Sequence, residues 1–116
     1  MGKQDKIEEL KKELTNSILD SEEYKEFKRL DEEIDRNPDL RRAVDEFRKR
    51  VFEVVNNDDI EDAYTAMVNL NIEYSDMRRQ DLVNRYLTAE ICFSSLVKDV
   101  IKSIVDPIDM ELDFLR

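Results

Sequence analysis

Glycine occurs once in this chain of 116 residues, at position 2, and proline only at 38 and 107. Sandwiches, barrels and α/β folds need many tight turns, so these counts argue against all three. Histidine is absent. That removes the usual general base, the Ser–His and Cys–His nucleophile pairs, and the Glu-x-x-His metal sites of helical bundles. With one glycine, no phosphate-cradling loop can form. With one cysteine, Cys92, no intrachain disulfide can form. No run reaches the ~18–20 apolar residues that cross a bilayer. The amino-terminal segment alternates charge with single apolar positions, unlike a signal peptide. A cytoplasmic chain without enzymatic activity is expected.

What the chain has is charge. Charged side chains make up 41% of it, and the net charge is −10. They interleave with apolar residues at three- and four-residue spacing, the composition of amphipathic helices rather than of disorder. The imbalance is uneven: residues 1–55 hold 13 basic and 16 acidic side chains, residues 56–116 hold 6 and 13. Phosphate binding needs clustered Lys and Arg. Arg48-Lys49-Arg50 reads as a solvated helix face and Arg78-Arg79 as a loop or cap, so no direct nucleic-acid binding is expected.

The periodicity predicts about five helices. Ile7, Leu10, Leu14 and Ile18 mark the first, over roughly 3–18. Asp20 is placed to cap the second, with Glu23 reaching back to it and Leu19 and Tyr24 as a hydrophobic staple. Tyr24, Phe27, Leu30 and Ile34 form its apolar side. Asn37-Pro38 ends the second helix and starts the third, since the residue before proline leaves the α region and proline suits the first helical position. Leu40, Val44, Phe47, Val51 and Val54 or Val55 form a short heptad-like seam. Asn56-Asn57-Asp58-Asp59 is the clearest turn. Beyond it, Ile60, Ala63, Tyr64, Met67, Leu70 and Tyr74 predict a fourth helix. Ser75–Gln80 is a weaker break, through which the helix can continue.

The fifth helix, capped by Asp81 and stopped by Asp106-Pro107, carries apolar residues at 87, 91, 93, 96, 97, 100, 101, 104 and 105. Such a stripe is wide enough to be covered from more than one side. At 1.5 Å per residue this helix would be ~37 Å long, against a radius of gyration of ~13 Å for a compact domain of this size. The expected fold is all-α: an elongated, oligomeric bundle with a long C-terminal helix. Residues 1–106 form a single helical domain, followed by a tail or short docked helix over 107–116. The candidate interface residues are Leu96, Val97, Val100, Ile101 and Ile104, with Phe114 and Leu115 from the tail.

No pattern of catalytic groups stands out. Carboxylate pairs such as Asp31/Asp35 read as solvated helix surface. Tyr24, Tyr64, Tyr74 and Tyr86 lie at apolar positions and read as core residues with the hydroxyl at the rim. Cys92, between Ile91 and Phe93, reads as a small buried residue; the sharper alternative is a ligand shared between chains.

Several of these marks occur together in a known order. Ile18 with Ser21-Glu22-Glu23-Tyr24 and Phe27, then Asn37-Pro38 with Phe47, then Asn84-Arg85-Tyr86-Leu87-Thr88-Ala89-Glu90 opening a long apolar helix, resemble the YlbF/YmcA family of small helical bacterial proteins, which includes YheA. The marks span roughly residues 5–105. The resemblance implies a non-enzymatic regulatory adaptor of Gram-positive bacteria that works through protein contacts. It would influence competence, sporulation or biofilm formation, or RNase Y-linked messenger RNA processing. The implied partners are a second copy of the chain (a homodimer or higher), family relatives, or an RNA-processing enzyme. Some relatives hold iron–sulfur clusters through cysteines near the C-terminus. Here Pro107 to Arg116 has none, and a cluster usually needs four thiolates. No cofactor is therefore expected, with Cys92 the one ligand a cluster could use. The alternative reading is a structural or chaperone-like helical oligomer without a regulatory role.

Overall fold

Pro38 decides where two helices meet. Its ring fixes a helical φ and supplies no N–H, which suits the first helical position. Asn37 before it is extended, with φ −121° and ψ 97°, and its side chain accepts from the Leu40 N–H. Helix α2 (Glu22–Asp35) therefore ends just before Asn37, and α3 (Pro38–Val55) begins just after it. The turn at Asn56–Asp59 works in the same way. Asn57 Oδ1 accepts from the Asp59 N–H, and Asp59 caps α4 (Ile60–Glu73) by accepting from the Asp62 N–H.

The computed structural model describes residues 3–108, and every regular element among them is helical. The first helix, α1, spans Lys3–Leu19. Its junction with α2 is capped one residue later than the sequence suggests. Ser21 Oγ donates to the Ile18 carbonyl at 2.6 Å and accepts from the Tyr24 N–H at 3.2 Å. The hydroxyl thus serves both helix ends, while Asp20 turns outward to pair with Lys25.

The weak break after α4 is a double one. Tyr74 marks a joint into the short α5 (Ser75–Arg79): its N–H closes α4 on the Leu70 carbonyl, and its own carbonyl accepts the first bond of α5, from the Arg78 N–H. Gln80 then turns extended, with φ −64° and ψ 129°, and ends the run. The Asn84 N–H bonds to the Gln80 carbonyl, so Gln80 occupies the capping position expected for Asp81. Asp81 instead lies in the first turn of α6 (Asp81–Ile108), within reach of Arg85. The long C-terminal helix is 28 residues, and Pro107 does not stop it before the last turn. Proline there forfeits one backbone bond near a frayed end, a smaller loss than in a helix interior.

The chain divides into two compact units. Leu30–Leu87 is one; Met1–Arg29 with Thr88–Arg116 is the other, so α2 and α6 each contribute to both. In the Leu30–Leu87 unit the core is Leu30, Ile34, Val44, Phe47, Leu70, Val83 and Tyr86, all buried. Phe47 meets the Tyr74 ring at 5.2 Å between centroids, and the Arg78 guanidinium lies over Phe47 at 5.5 Å. Arg50 bonds Glu73 at 2.7 Å and so ties α3 to α4. The basic cluster is thus used partly within the fold, with Arg48 over the Tyr86 ring at 5.8 Å.

In the other unit, Ala89 and Val105 are buried. Phe93 packs against Tyr24 at 5.2 Å and Phe27 at 5.8 Å. The spacing Tyr24–Phe27 places both rings on one face of α2, and Phe93 supplies the α6 side of the cluster.

Candidate functional site

Helix α6 presents apolar residues in three degrees of cover. Val105 is buried; Leu96, Val97, Val100 and Ile101 are half-buried; Ile91 and Ile104 are exposed, at 69% and 52%. The candidate interface residues within 3–108 thus share one helix, and most keep part of their surface available. Phe114 and Leu115 lie outside the described residues. Ile91 was missed as an interface residue because periodicity alone does not tell a covered flank of a wide stripe from an open one. Helix α1 was also underrated. Ile7, Leu10 and Leu14 form a regular stripe and are exposed. Little of α1 is covered, Ile18 being half-buried.

Cys92 corrects an expectation: it is exposed, not buried. Thr88, Ser95 and Asp99 lie one or two turns away on the same side of α6, so the thiol falls on the polar stripe beside the apolar one. It lines an open hollow of about 550 Å³ with Glu23, Ile91, Ser95, Leu96 and Asp99. Ile91 and Leu96 flank Cys92 on opposite sides, and Glu23 and Asp99 add two carboxylates to the lining. Among the described residues no group of three or more His, Cys, Asp or Glu side chains is arranged to hold a metal ion. No helix there is long and apolar enough to cross a membrane.

The Leu30–Leu87 unit holds a polar cluster that the sequence reading passed over. Arg41 donates to Asp31 at 2.7 Å, Asp35 at 3.2 Å and Asp45 at 2.8 Å, and to the Tyr86 hydroxyl at 3.1 Å. That hydroxyl donates in turn to Asp31 at 3.1 Å. Asp31 and Asp35 are therefore not a chance pair on a solvated face. Asp35 remains exposed, but Asp31 is half-buried and held from two sides. Only the Arg41–Asp45 pair, at i,i+4, was legible from spacing. Burial works against the Arg41 charge, yet the hydrogen bonds to Tyr86, Asp31 and Asp45 outweigh it and hold the guanidinium above its ordinary value. Burial pushes the Tyr86 hydroxyl up, while the Arg41 hydrogen bond and the Arg48 and Arg41 charges pull the other way. No base or nucleophile emerges here. The cluster locks α2, α3 and the start of α6 together.

A model of the family described as "Control of competence regulator ComK, YlbF/YmcA" matches residues 7–109. The chain belongs to the YlbF/YmcA family. It is also similar to a UPF0342 protein of Caldicellulosiruptor bescii, with 26% identity over 101 residues covering 85% of each chain. A UPF0342 protein of Caldicellulosiruptor saccharolyticus is 25% identical over 101 residues, covering 85% of this chain and 84% of that one. No solved structure matches the chain. In this YlbF/YmcA chain the residues that carried the resemblance have structural work. Ser21 caps α2, Asn37 and Pro38 set the start of α3, and Tyr86 closes the Arg41 cluster.

The raised Tyr86 value has a measurable consequence. An unfolded tyrosine ionises near pH ~10, and the folded one holds its proton to higher pH. The resulting stabilisation is fully present below about pH 10 and is lost as pH rises through the folded value. Urea unfolding between neutral pH and about pH 11 should show wild-type stability falling more steeply above pH ~10 than that of Tyr86→Phe. Parallel curves for the two proteins would remove the ionisation effect.

Proposed function

We propose that this protein is a non-enzymatic cytoplasmic regulatory adaptor, acting in the control of competence through protein–protein contacts. It works as an oligomer of itself and docks family relatives or an RNA-processing enzyme on its open helix faces. The observation that carries the reading is the apolar surface of α6, where Ile104 stands exposed among half-buried Leu96, Val97, Val100 and Ile101, with exposed Ile91 at the far edge of the stripe. A face of this kind marks a binding surface when its apolar residues are contiguous along a helix. The hollow beside Ile91 and Leu96 suits one anchoring side chain of a partner. The family description supplies the regulatory context. No cofactor enters the proposal; Cys92 serves as a surface residue.

The test is genetic and keeps the fold intact. Ile91→Glu with Ile104→Glu changes two side chains that are already exposed, so the helical circular dichroism and melting curve should match wild type. In the native host, a ComK-dependent reporter should respond to the double variant as it does to complete loss of the protein. A full wild-type response from the folded double variant would overturn the α6 reading.

A further inference from the structure

No glycine or proline lies between Ile60 and Gln80. The run of helix over those residues is nevertheless broken at Tyr74, which belongs to neither α4 nor α5. Helix breaks ordinarily trace to proline, to glycine, or to a group that interferes with the backbone ladder. The first two are absent here. The Tyr74 backbone stays near the helical region, with φ −101° and ψ 14°, and α5 opens without a side-chain cap. The N–H groups of Ser75 and Met77 thus lie in a first turn that offers them no partner. Ser75 and Asp76 suit a first helical turn and are tolerated inside a helix at modest cost. The local sequence permits the break without requiring it.

The side chains of α3 supply the cause. The Tyr74 ring meets Phe47 at 5.2 Å between centroids. One turn along α3 from Phe47, the Arg50 guanidinium lies over the Tyr74 ring at 5.5 Å and donates to its hydroxyl at 3.4 Å. Arg50 also bonds Glu73 at 2.7 Å. From the α5 side, Arg78 lies over the Phe47 ring at 5.5 Å and donates to Asn71 of α4. Both sides of the joint are thus drawn onto Phe47 and Arg50, all within the Leu30–Leu87 unit. Closing the ladder would instead bond the Ser75 N–H to the Asn71 carbonyl and the Met77 N–H to the Glu73 carbonyl. Two net backbone bonds and one aromatic pair with one cation–π contact are of the same order. A balance this close is what an element with two states requires. Arg50 keeps 39% of its side chain exposed and lines an open hollow of about 410 Å³ between α3 and α4. The contact that tips the balance is therefore reachable from outside.

We propose that Tyr74 is a conformational latch: Phe47 and Arg50 of α3 hold the α4–α5 joint broken, and release of the ring lets residues 60–79 close into one continuous helix. Closure re-aims α5 and the corner at Gln80 from which α6 starts. The proposal stands whether or not copies of the chain associate. Amide hydrogen exchange on the full chain, followed residue by residue by NMR, tests it. In the wild type, Ser75 and Met77 should exchange at close to the rate of an unfolded chain, while Leu70 is protected. Tyr74→Ala removes the ring, and exchange at Ser75 and Met77 should slow at least about tenfold as the ladder closes. Arg50→Met changes no residue of the joint and should slow both amides by a smaller factor. Retained protection at Val44 and Leu70 marks a folded variant; if Tyr74→Ala does not fold, Arg50→Met carries the test alone. Slow exchange at Ser75 and Met77 already in the wild type would overturn the broken ladder. Slowing in Tyr74→Ala alone would assign the break to the residue at 74 and overturn the latch, as would unchanged exchange in both variants.

Discussion

Arg41→Met should lower the free energy of unfolding by about 2–3 kcal/mol. The guanidinium is the common partner of Asp31, Asp35, Asp45 and the Tyr86 hydroxyl. Methionine keeps much of the aliphatic packing but leaves the half-buried Asp31 carboxylate with its strongest donor gone. Breaking a fully buried pair costs roughly 3–5 kcal/mol, while exposed pairs are worth about 0–1 kcal/mol. With Arg41 at 19% and Asp31 at 26% side-chain exposure, this pair falls between, nearer the buried limit. Asp31→Asn combined with Arg41→Met should cost less than the sum of the two single changes, since both remove the same interaction. Urea denaturation of the four proteins gives the comparison. Additive losses would mean that Arg41 acts through packing alone.

Leu30→Ala should cost more, about 2–5 kcal/mol, the range for a fully enclosed leucine. Leu30 is completely buried, as are Ile34, Val44 and Val83 in the same unit. Few routes exist for the core to close over the space, because Phe47 is pinned between Tyr74 and Arg78. Against a total stability of about 5–15 kcal/mol this is a large fraction. The urea midpoint should fall while the slope stays constant, as expected for a weakened but unchanged native state. A loss under 1 kcal/mol would place Leu30 in a region that repacks freely.

The two predictions bear on function through rigidity. Neither Arg41 nor Leu30 lies on an exposed apolar face, yet both hold the elements that carry those faces. Losing them should reduce regulatory output in proportion to the folded fraction. The Ile91→Glu, Ile104→Glu variant should instead lose output at full folding. That contrast separates the scaffold from the surface.

Much of the helical layout could be read from the chain because local signals there are strong. Asn37-Pro38 combines a cap with a residue that cannot sit in a helix interior, and Asn57 with Asp59 builds the second turn from side-chain bonds two and three residues away. Where the signals are shared between neighbours, the reading slipped. Asp20 and Ser21 both suit a cap, and Ser21 prevailed because its hydroxyl can donate backward and accept forward at once. Tyr64 was read as core because α4 is apolar on two sides, and spacing does not tell which side is covered; it is among the most exposed side chains of that helix. Cys92 misled for the opposite reason. Its sequence neighbours are apolar, but its neighbours on the helix surface are Thr88, Ser95 and Asp99. The Arg41 cluster was out of reach of sequence reasoning because it joins residues up to 55 positions apart.

The central claim is that this protein acts by presenting apolar helix faces for other chains to cover, its own copies included. Light scattering on the purified wild-type chain over a range of concentrations tests it most directly. A mass that is a multiple of 13.9 kDa is the expected result. A stable monomer of 13.9 kDa at every concentration, with its exposed apolar faces left open to water, would contradict it.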